Sequence, residues 1–276
     1  MSNNLETKLL NCEVDKKTES YFRLLVDGKQ IKYLTVEPGT YKNAEMCFGP
    51  TLYPILPRFP AGNWNDAVVA KDEDGRPYFT RINLTDFPGV ENTWHETFID
   101  WSDIVLGENL HVATYEATCP QFEDTVIAKF VIWHWYMYSM ENETTVYELL
   151  NGHGIGPRFL GHLTEHDRVI GFLMEHITNA RHAGPEDLEL CREALAQLHA
   201  LGLLHGDTNR HNFLIRDGKA IVIDFSTTRK CDDEDLLRQE MEGLLVHLAD
   251  TSNVGGHDPS ETFDGTYEEM MDPDCF

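Results

Sequence analysis

The sequence predicts an α+β chain of two lobes, a β-rich lobe followed by a helical one, behind an irregular, β-rich N-terminal extension. Three observations carry this. Short β-branched and aromatic runs bounded by Gly, Asp and Asn fill much of the chain as far as His176, the pattern of strands joined by turns. Apolar residues at helical spacing gather around 144–151 and after Pro185. Prolines and glycines recur from Pro38 to Pro88 and forbid long helices there, because proline fixes φ and lacks a backbone donor. With 276 residues and 41% hydrophobic residues, the chain can bury a core and is too apolar to be disordered over most of its length.

Residues 1–20 are polar and read as frayed. Tyr21 to Val36 reads as a hairpin turning at Asp27-Gly28, a dipeptide that accepts the positive φ of a tight turn. The Pro/Gly-rich stretch reads as irregular but packed, because it carries Phe48, Tyr53, Trp64 and Phe79. Ile104-Val105-Leu106, Leu110 to Tyr115 and Thr125 to Trp133 read as three strands. Thr144 to Asn151 reads as a helix halted by Gly152 and Gly154. Arg158 to Leu163 and Val169 to His176 read as strands around a turn at His166-Asp167. Pro185 suits a first helical residue, and Leu188, Cys191, Leu195, Leu198 and Leu201 form one apolar face that ends at Gly202. Phe213 to Ile215 and Ala220 to Ile223 flank Asp217-Gly218 as a short hairpin. Leu236 to Leu248 reads as the last helix. This divides the chain into an extension (1–97), a β-rich lobe with a linker (98–178), a helical lobe (179–254) and an acidic tail (255–276).

Asp plus Glu total 47 and Lys plus Arg 22, a formal charge of −25. Such a surface repels phosphate backbones and anionic lipid heads. General nucleic-acid binding and membrane attachment are therefore not expected, whereas a cationic small molecule or Mg²⁺ is. From Cys231 onward Arg238 is the lone base among many acids, which reads as a solvated tail or as an acidic wall for a cationic substrate. The cysteines at 12, 47, 119, 191, 231 and 275 show no CxxC clip or zinc spacing. The N-terminal residues lack a basic and an apolar signal region, and a reduced, cytoplasmic protein is expected.

Residues 203–226 hold the chemistry. Asp207 is followed at Asn212 by an amide and at Asp224, at the end of an apolar strand, by a second carboxylate. Phosphoryl transfer to a hydroxyl needs this set: Asp207 to orient the acceptor and take its proton, and Asn212 and Asp224 to hold Mg²⁺ with hard oxygen ligands against the nucleotide phosphates. His205 suits a structural place beneath the loop, while Arg210 and His211 could face a phosphate.

His205-Gly206-Asp207 to Asn212, with Asp224, resembles the protein-kinase-like superfamily. Its form is similar to aminoglycoside phosphotransferases and small atypical kinases. The resemblance implies a two-lobed kinase-like fold with a truncated C-terminal lobe. It also implies ATP and Mg²⁺ as cofactors and a phosphate-binding lysine, Lys129 in Val126-Ile127-Ala128-Lys129-Phe130. A helix glutamate should pair with that lysine: Glu143 by spacing to Gly154-Ile155-Gly156-Pro157, with Glu148 as the runner-up. Phe172 to Ile177 would be the interlobe linker, whose backbone at Glu175 and Ile177 would meet an adenine. The departures are specific. Only Gly107 stands where a glycine-rich loop belongs, Ser226 follows Asp224 where a glycine is usual, no Ala-Pro-Glu follows, and little chain remains for peptide docking. A protein kinase is not expected, and the substrate wall must come from the extension, the tail or a partner.

Over most of its length the chain also resembles a family of hypothetical proteins of filamentous fungi, through Phe59-Pro60-Ala61-Gly62-Asn63-Trp64-Asn65, Trp94-His95, Gly154 to His162 and Arg168 to Phe172. Near that family stand tRNA-dependent, arginine-containing cyclodipeptide synthases of secondary metabolism. Their Asp-Asp-x-x-Glu motif is approximated by Asp232-Asp233-Glu234-Asp235, and tRNA would need Arg158, Arg168, Arg181, Arg229 and Lys230 gathered on one face. Three functions stay open: an ATP/Mg²⁺-dependent phosphotransferase acting on a small, cationic hydroxyl compound; a cyclodipeptide synthase without ATP, with tRNA as partner; and a catalytically silent kinase-like binding module. The pair His162 and His166 has no third metal ligand at obvious spacing, and Trp94-His95 reads as a buried aromatic plug.

Overall fold

A computed structural model describes residues 6–252 of the chain, which divide into two units, 6–86 and 87–252. The acidic tail, with Cys275, lies outside the described residues.

In the first unit, strands β1 (Thr7–Glu13), β2 (Ser20–Val26) and β3 (Gln30–Val36) are followed by two short helices, α1 (Asn43–Met46) and α2 (Gly49–Leu52), and by β4 (Asp66–Lys71) and β5 (Pro77–Asn83). They make one sheet in chain order, antiparallel except for the β3–β4 pair. Asp27 (φ 52°) and Gly28 (φ 65°) are both left-handed, the turn geometry that matches the strand twist. Two expectations are corrected. Residues 7–13 are not frayed but pair with β2. A bulge between Leu9 and Asn11 breaks the two-residue alternation, so the buried positions fall at Leu9 and Cys12 and the strand pattern is hidden. The Pro/Gly-rich stretch is not irregular throughout, since it contains β4 and β5. Phe22, Leu24, Leu34, Leu52 and Val69 form this unit's core.

The second unit starts at Phe87, ahead of the boundary read at 98. Val90 N donates to Val169 O (2.9 Å) and Trp94 Nε1 to Thr144 O (3.1 Å), which ties residues 87–97 to the sheet and helix of this unit. Its strands are β6 (Phe98–Asp100), β7 (Val105–His111), β8 (Thr114–Thr118), β9 (Val126–Phe130), then, after helix α3 (Met137–Leu150), β10 (Phe159–Glu165) and β11 (Arg168–Glu175). The sheet order is β6-β10-β11-β9-β8-β7. Residues 104–115 are not two strands broken near Gly107. Val105–His111 run unbroken past Gly107 as β7 into a turn at Val112-Ala113, where Ala113 has φ 60°, and β8 starts at Thr114. α3 begins well before Thr144. The aromatic and methionine run hides its period, but Met137, Met140, Thr144, Tyr147 and Leu150 are its buried face.

At Gly171 on β11 a Cβ would lie 2.2 Å from Lys129 O, so glycine lets the strand carrying Lys129 approach this closely. The helical lobe contains β12 (Arg181–His182), α4 (Leu188–Ala200), β13 (Leu203–Leu204), the hairpin β14 (Phe213–Arg216) and β15 (Lys219–Val222), β16 (Arg229–Lys230) and α5 (Glu234–Ala249). β12, β14 and β15 form one small sheet, and β13 pairs with β16. The architecture is α+β and consistent with a kinase-like fold. Cys12, Cys47, Cys119, Cys191 and Cys231 are buried. Among the described residues no helix is long and apolar enough to cross a membrane.

Candidate active site in the second unit

Lys129 stands on β9 with its ammonium between two carboxylates. Nζ lies 2.7 Å from Glu143 Oε2, 3.0 Å from Oε1 and 2.9 Å from Asp224 Oδ1. Because α3 starts at Met137, Glu143 is an inward residue of its middle, not an N-terminal acid, and its side chain is 1% exposed. Glu148, the runner-up, accepts from Asn92 Nδ2 instead (2.8 Å). Burial alone would depress the Lys129 ammonium, but Glu143 and Asp224 outweigh it and hold the group charged beyond its usual range. Burial raises the Glu143 carboxyl. Burial would raise Asp224 too, yet Lys129 and the Ser226 contacts hold it well below the usual carboxylate range. Asp224 has φ 59°, a conformation costly for a residue with a Cβ. Phe225 N donates to Glu143 Oε1 (3.2 Å), and Asn142 Nδ2 donates to Ser226 O (3.0 Å) and Thr228 O (2.8 Å), so α3 grips the backbone on the far side of the strained residue.

The loop between β13 and β14 supplies the other groups. Asp207 accepts from Asn209 Nδ2 at 2.9 and 3.0 Å. Asn212 Nδ2 donates to Asp207 O (3.0 Å) and Oδ2 (3.1 Å), which spends its amide donor and leaves Oδ1 as a hard oxygen donor toward the cleft. The Asn209 side chain caps the tight turn Arg210–Asn212 by accepting from His211 N (2.8 Å). His205 is fully buried. Its Nδ1 accepts from Asp207 N (3.3 Å) and its Nε2 faces Ile223 O (3.2 Å), and burial lowers its pKa, so the neutral ring links the loop to the strand before Asp224.

Glu240 on α5 anchors the loop, and no motif in the sequence marks it. Its Oε1 accepts from Gly206 N (2.6 Å) and its Oε2 from His205 N (3.1 Å) and His199 Nε2 (2.7 Å). Burial raises its carboxyl, but the imidazole and backbone donors pull it below its ordinary value. Its one sequence signal is a lone acid on the face of α5 near Met241 and Leu244, four residues after Leu236 and three after Leu237.

A cleft of about 420 Å³ runs from the β7–β8 turn to the linker after β11. Lys129, Glu175, Ile177, Asn212 and Asp224 line it, between apolar walls that include Leu110, Ile127, Met174 and Leu214. Glu143 stands behind Lys129, and Asp207 opens onto a neighbouring hollow. Gly107 forms no loop: it lies within β7, where a Cβ would meet Glu116 Cβ at 3.3 Å, and Leu110, His111 and Thr114 face the cleft instead.

The remaining sequence candidates take structural places. Trp94 packs on Phe159 (4.8 Å between ring centres), and His95 N donates to the buried His162, whose pKa burial lowers to about 4. Asp233 caps α5 by accepting from Asp235 N, and Asp235 pairs with Arg238 at 2.6 Å, so that acidic run serves a helix end. Of the basic residues considered for tRNA, Arg168 is held by Glu165 and Arg181 by Asp187.

No family model matches the chain. It is 36% identical over 82 residues to a probable bifunctional tRNA threonylcarbamoyladenosine biosynthesis protein of Methanoculleus marisnigri, a span of 30% of this chain and 14% of that protein. It is 30% identical over 89 residues to the KEOPS complex subunit Bud32 of Pyrococcus abyssi, 31% of this chain and 37% of the relative. It is 38% identical over 59 residues to the RIO-type serine/threonine-protein kinase Rio1 of Haloferax volcanii, 20% of each. The chain thus matches well under two thirds of these relatives' lengths. The last of these is by name a RIO-type kinase, and the likeness to each is partial.

Proposed function

We propose that the second unit is an ATP- and Mg²⁺-dependent phosphotransferase of the atypical kinase type that acts on a hydroxyl-bearing small molecule. The observation that carries this reading is the buried Lys129 ammonium held between Glu143 and Asp224 on the floor of a cleft that Asn212 also lines. A charge this enclosed is costly unless it has a task or a partner that needs it. The similarity to a RIO-type kinase and to Bud32 supports the same class.

The residues fit a magnesium ion. Asn212 Oδ1 and the ionised Asp224 are hard oxygen donors lining one cleft, and so small a protein ligand set suits an ion that keeps waters and takes phosphate oxygens. When bound, Mg²⁺ would neutralise charge on the transferring phosphoryl group. The chain's own part is positional. Lys129 would meet the phosphates at the cleft floor, with Glu143 steadying it. The backbone of Glu175 and Ile177 would meet the base between the apolar walls. Asp207, fixed by the Asn209 and Asn212 amides, would orient the acceptor hydroxyl and take its proton as the oxygen–phosphorus bond forms and the bond to the ADP oxygen breaks.

A second reading is nucleotide binding without transfer. It is favoured by the β7–β8 turn, which offers His111 and Thr114 where backbone amides of glycines would wrap the phosphates. The test is a thermal-shift titration with Mg²⁺–ATP, followed by a search for ADP release with hydroxyl acceptors. At one hundred times Kd, ligand binding stabilises by about 2.7 kcal/mol. A raised midpoint with turnover supports transfer, a raised midpoint with none across acceptors supports binding alone, and no shift at millimolar nucleotide removes both.

A further inference from the structure

The hollow into which Asp207 opens has a volume of about 480 Å³ and lies beside the loop, apart from the residues that line the nucleotide-sized cleft. Resting on the phosphotransfer reading, this hollow is where an acceptor would meet Asp207, and its lining speaks to the acceptor's charge. The negative total charge of the chain favours a cation, but the local groups do not. Three carboxylates line the hollow, and each is already engaged. Glu240 is committed to Gly206 N, His205 N and His199. Asp207 holds the amides of Asn209 and Asn212. Asp250 accepts from Ser252 N. His247 is turned to the Thr208 hydroxyl at 2.7 Å.

The two guanidinium groups of the lining, Arg210 and Arg229, are in the opposite condition. Elsewhere in the second unit every described arginine except Arg158 stands within ion-pair distance of a carboxylate: Arg168, Arg181, Arg192, Arg216 and Arg238. Arg210 and Arg229 pair with none among the described residues. Arg210 Nε is buried without any hydrogen-bond partner, a donor that costs free energy until an acceptor fills it. Both residues are placed by the backbone around the loop. Arg210 opens the capped turn directly after Asn209, and Arg229 sits on β16 opposite Leu204. A chain this acidic repels anions in general, so two uncompensated guanidiniums beside the proposed base select for one.

We infer that the hollow is an oxyanion-binding acceptor site, in which Arg210 and Arg229 take a phosphate or carboxylate group of the substrate while its hydroxyl meets Asp207. The forked donors of arginine match the paired oxygens of either group.

The test measures binding to the full chain of four small probes that share a hydroxyl: glycerol 3-phosphate, glycerate, glycerol and ethanolamine. Each is titrated alone and with a saturating non-hydrolysable Mg²⁺–ATP analogue, which occupies the cleft. Glycerol 3-phosphate or glycerate should bind about tenfold tighter or more than glycerol and ethanolamine, the scale of one charge-assisted hydrogen bond. Tighter binding of the phosphate alone, or of the carboxylate alone, identifies which oxyanion the site takes. Arg229→Glu, at an exposed position, should abolish the preference, and Arg210→Gln should reduce it about tenfold. Equal binding of all probes, a preference for ethanolamine, or an anion preference untouched in both variants overturns the inference. Failure of the nucleotide analogue to bind, with the anion preference intact, overturns instead the phosphotransfer reading and leaves an oxyanion site.

Discussion

Replacing Lys129 with Met removes the cation that bridges Glu143 and Asp224 and keeps the apolar stem that fills the strand's face. Glu143, 1% exposed, and Asp224, 31% exposed, then face each other within the reach of one missing ammonium. Breaking a buried pair by removing one partner costs about 3–5 kcal/mol, because the other charge is left uncompensated. For a unit of this size each kcal/mol lowers the melting midpoint by about 2–4 °C, so Lys129→Met should melt roughly 6–20 °C lower. Lys129→Met/Glu143→Gln should recover much of the loss, since an amide needs no counter-charge. The pH dependence has a definite sign. Without Lys129, Glu143 is pushed still further up, and an acid whose folded pKa is raised gives stability that is present at low pH and lost as pH rises through that window. The deficit of Lys129→Met should therefore be smaller at pH 5 than at pH 8. Differential scanning calorimetry of the single and double variants at both values measures all of this. A loss below about 1 kcal/mol, ordinary for a surface substitution, or a double variant no more stable than the single, would refute the account of a charge-locked floor.

Other changes have equally defined outcomes. Asp207→Asn keeps an oxygen to accept from the Asn209 and Asn212 amides, so it should leave the melting midpoint and nucleotide affinity in place and lower kcat by about 10²–10⁴ in a coupled ADP assay. Glu240→Ala strands the His205 N–H and leaves the exposed Gly206 N–H to water, a cost of roughly 1–3 kcal/mol in urea unfolding. Because the Glu240 carboxyl is lowered in the fold, the gap between Glu240→Ala and the native chain should close as pH falls below about 4.3, where the unfolded carboxyl protonates. Gly171→Ala drives a Cβ into Lys129 O and Phe130 Cα and should fail to yield a cooperatively folded second unit by circular dichroism and calorimetry.

The features legible in the sequence are those that lie close along the chain. Asp207 and Asn212 sit on one loop and Asp224 just past the hairpin that follows it, and turn residues such as Asp217-Gly218 fix that geometry locally. Lys129 and Glu143 are legible only through the resemblance, which calls for a lysine on this strand and a helix glutamate at the spacing to Gly154-Ile155-Gly156-Pro157 that atypical kinases show. The start of α3 is not legible, since Trp133 to Met140 is apolar and aromatic on every side. β1 is hidden by its bulge, and β4 and β5 by neighbouring prolines. Glu240 cannot be found by motif, for its partners are backbone N–H groups more than a helix away in sequence. The total of −25 points to a cationic acceptor, whereas the hollow proposed for the acceptor is lined by Arg210 and Arg229, which form no ion pair among the described residues.

The claim on which the rest stands is that Asn212 and Asp224 hold one divalent cation beside Lys129. Crystals grown with Mn²⁺ and a non-hydrolysable ATP analogue test it through the anomalous signal of manganese. The account predicts a peak in contact with Asn212 Oδ1 and the Asp224 carboxylate, with analogue phosphate oxygens completing the shell and Lys129 Nζ on a phosphate. Manganese and nucleotide bound anywhere else on the chain, or a nucleotide in the cleft with the cation touching neither side chain, would contradict it.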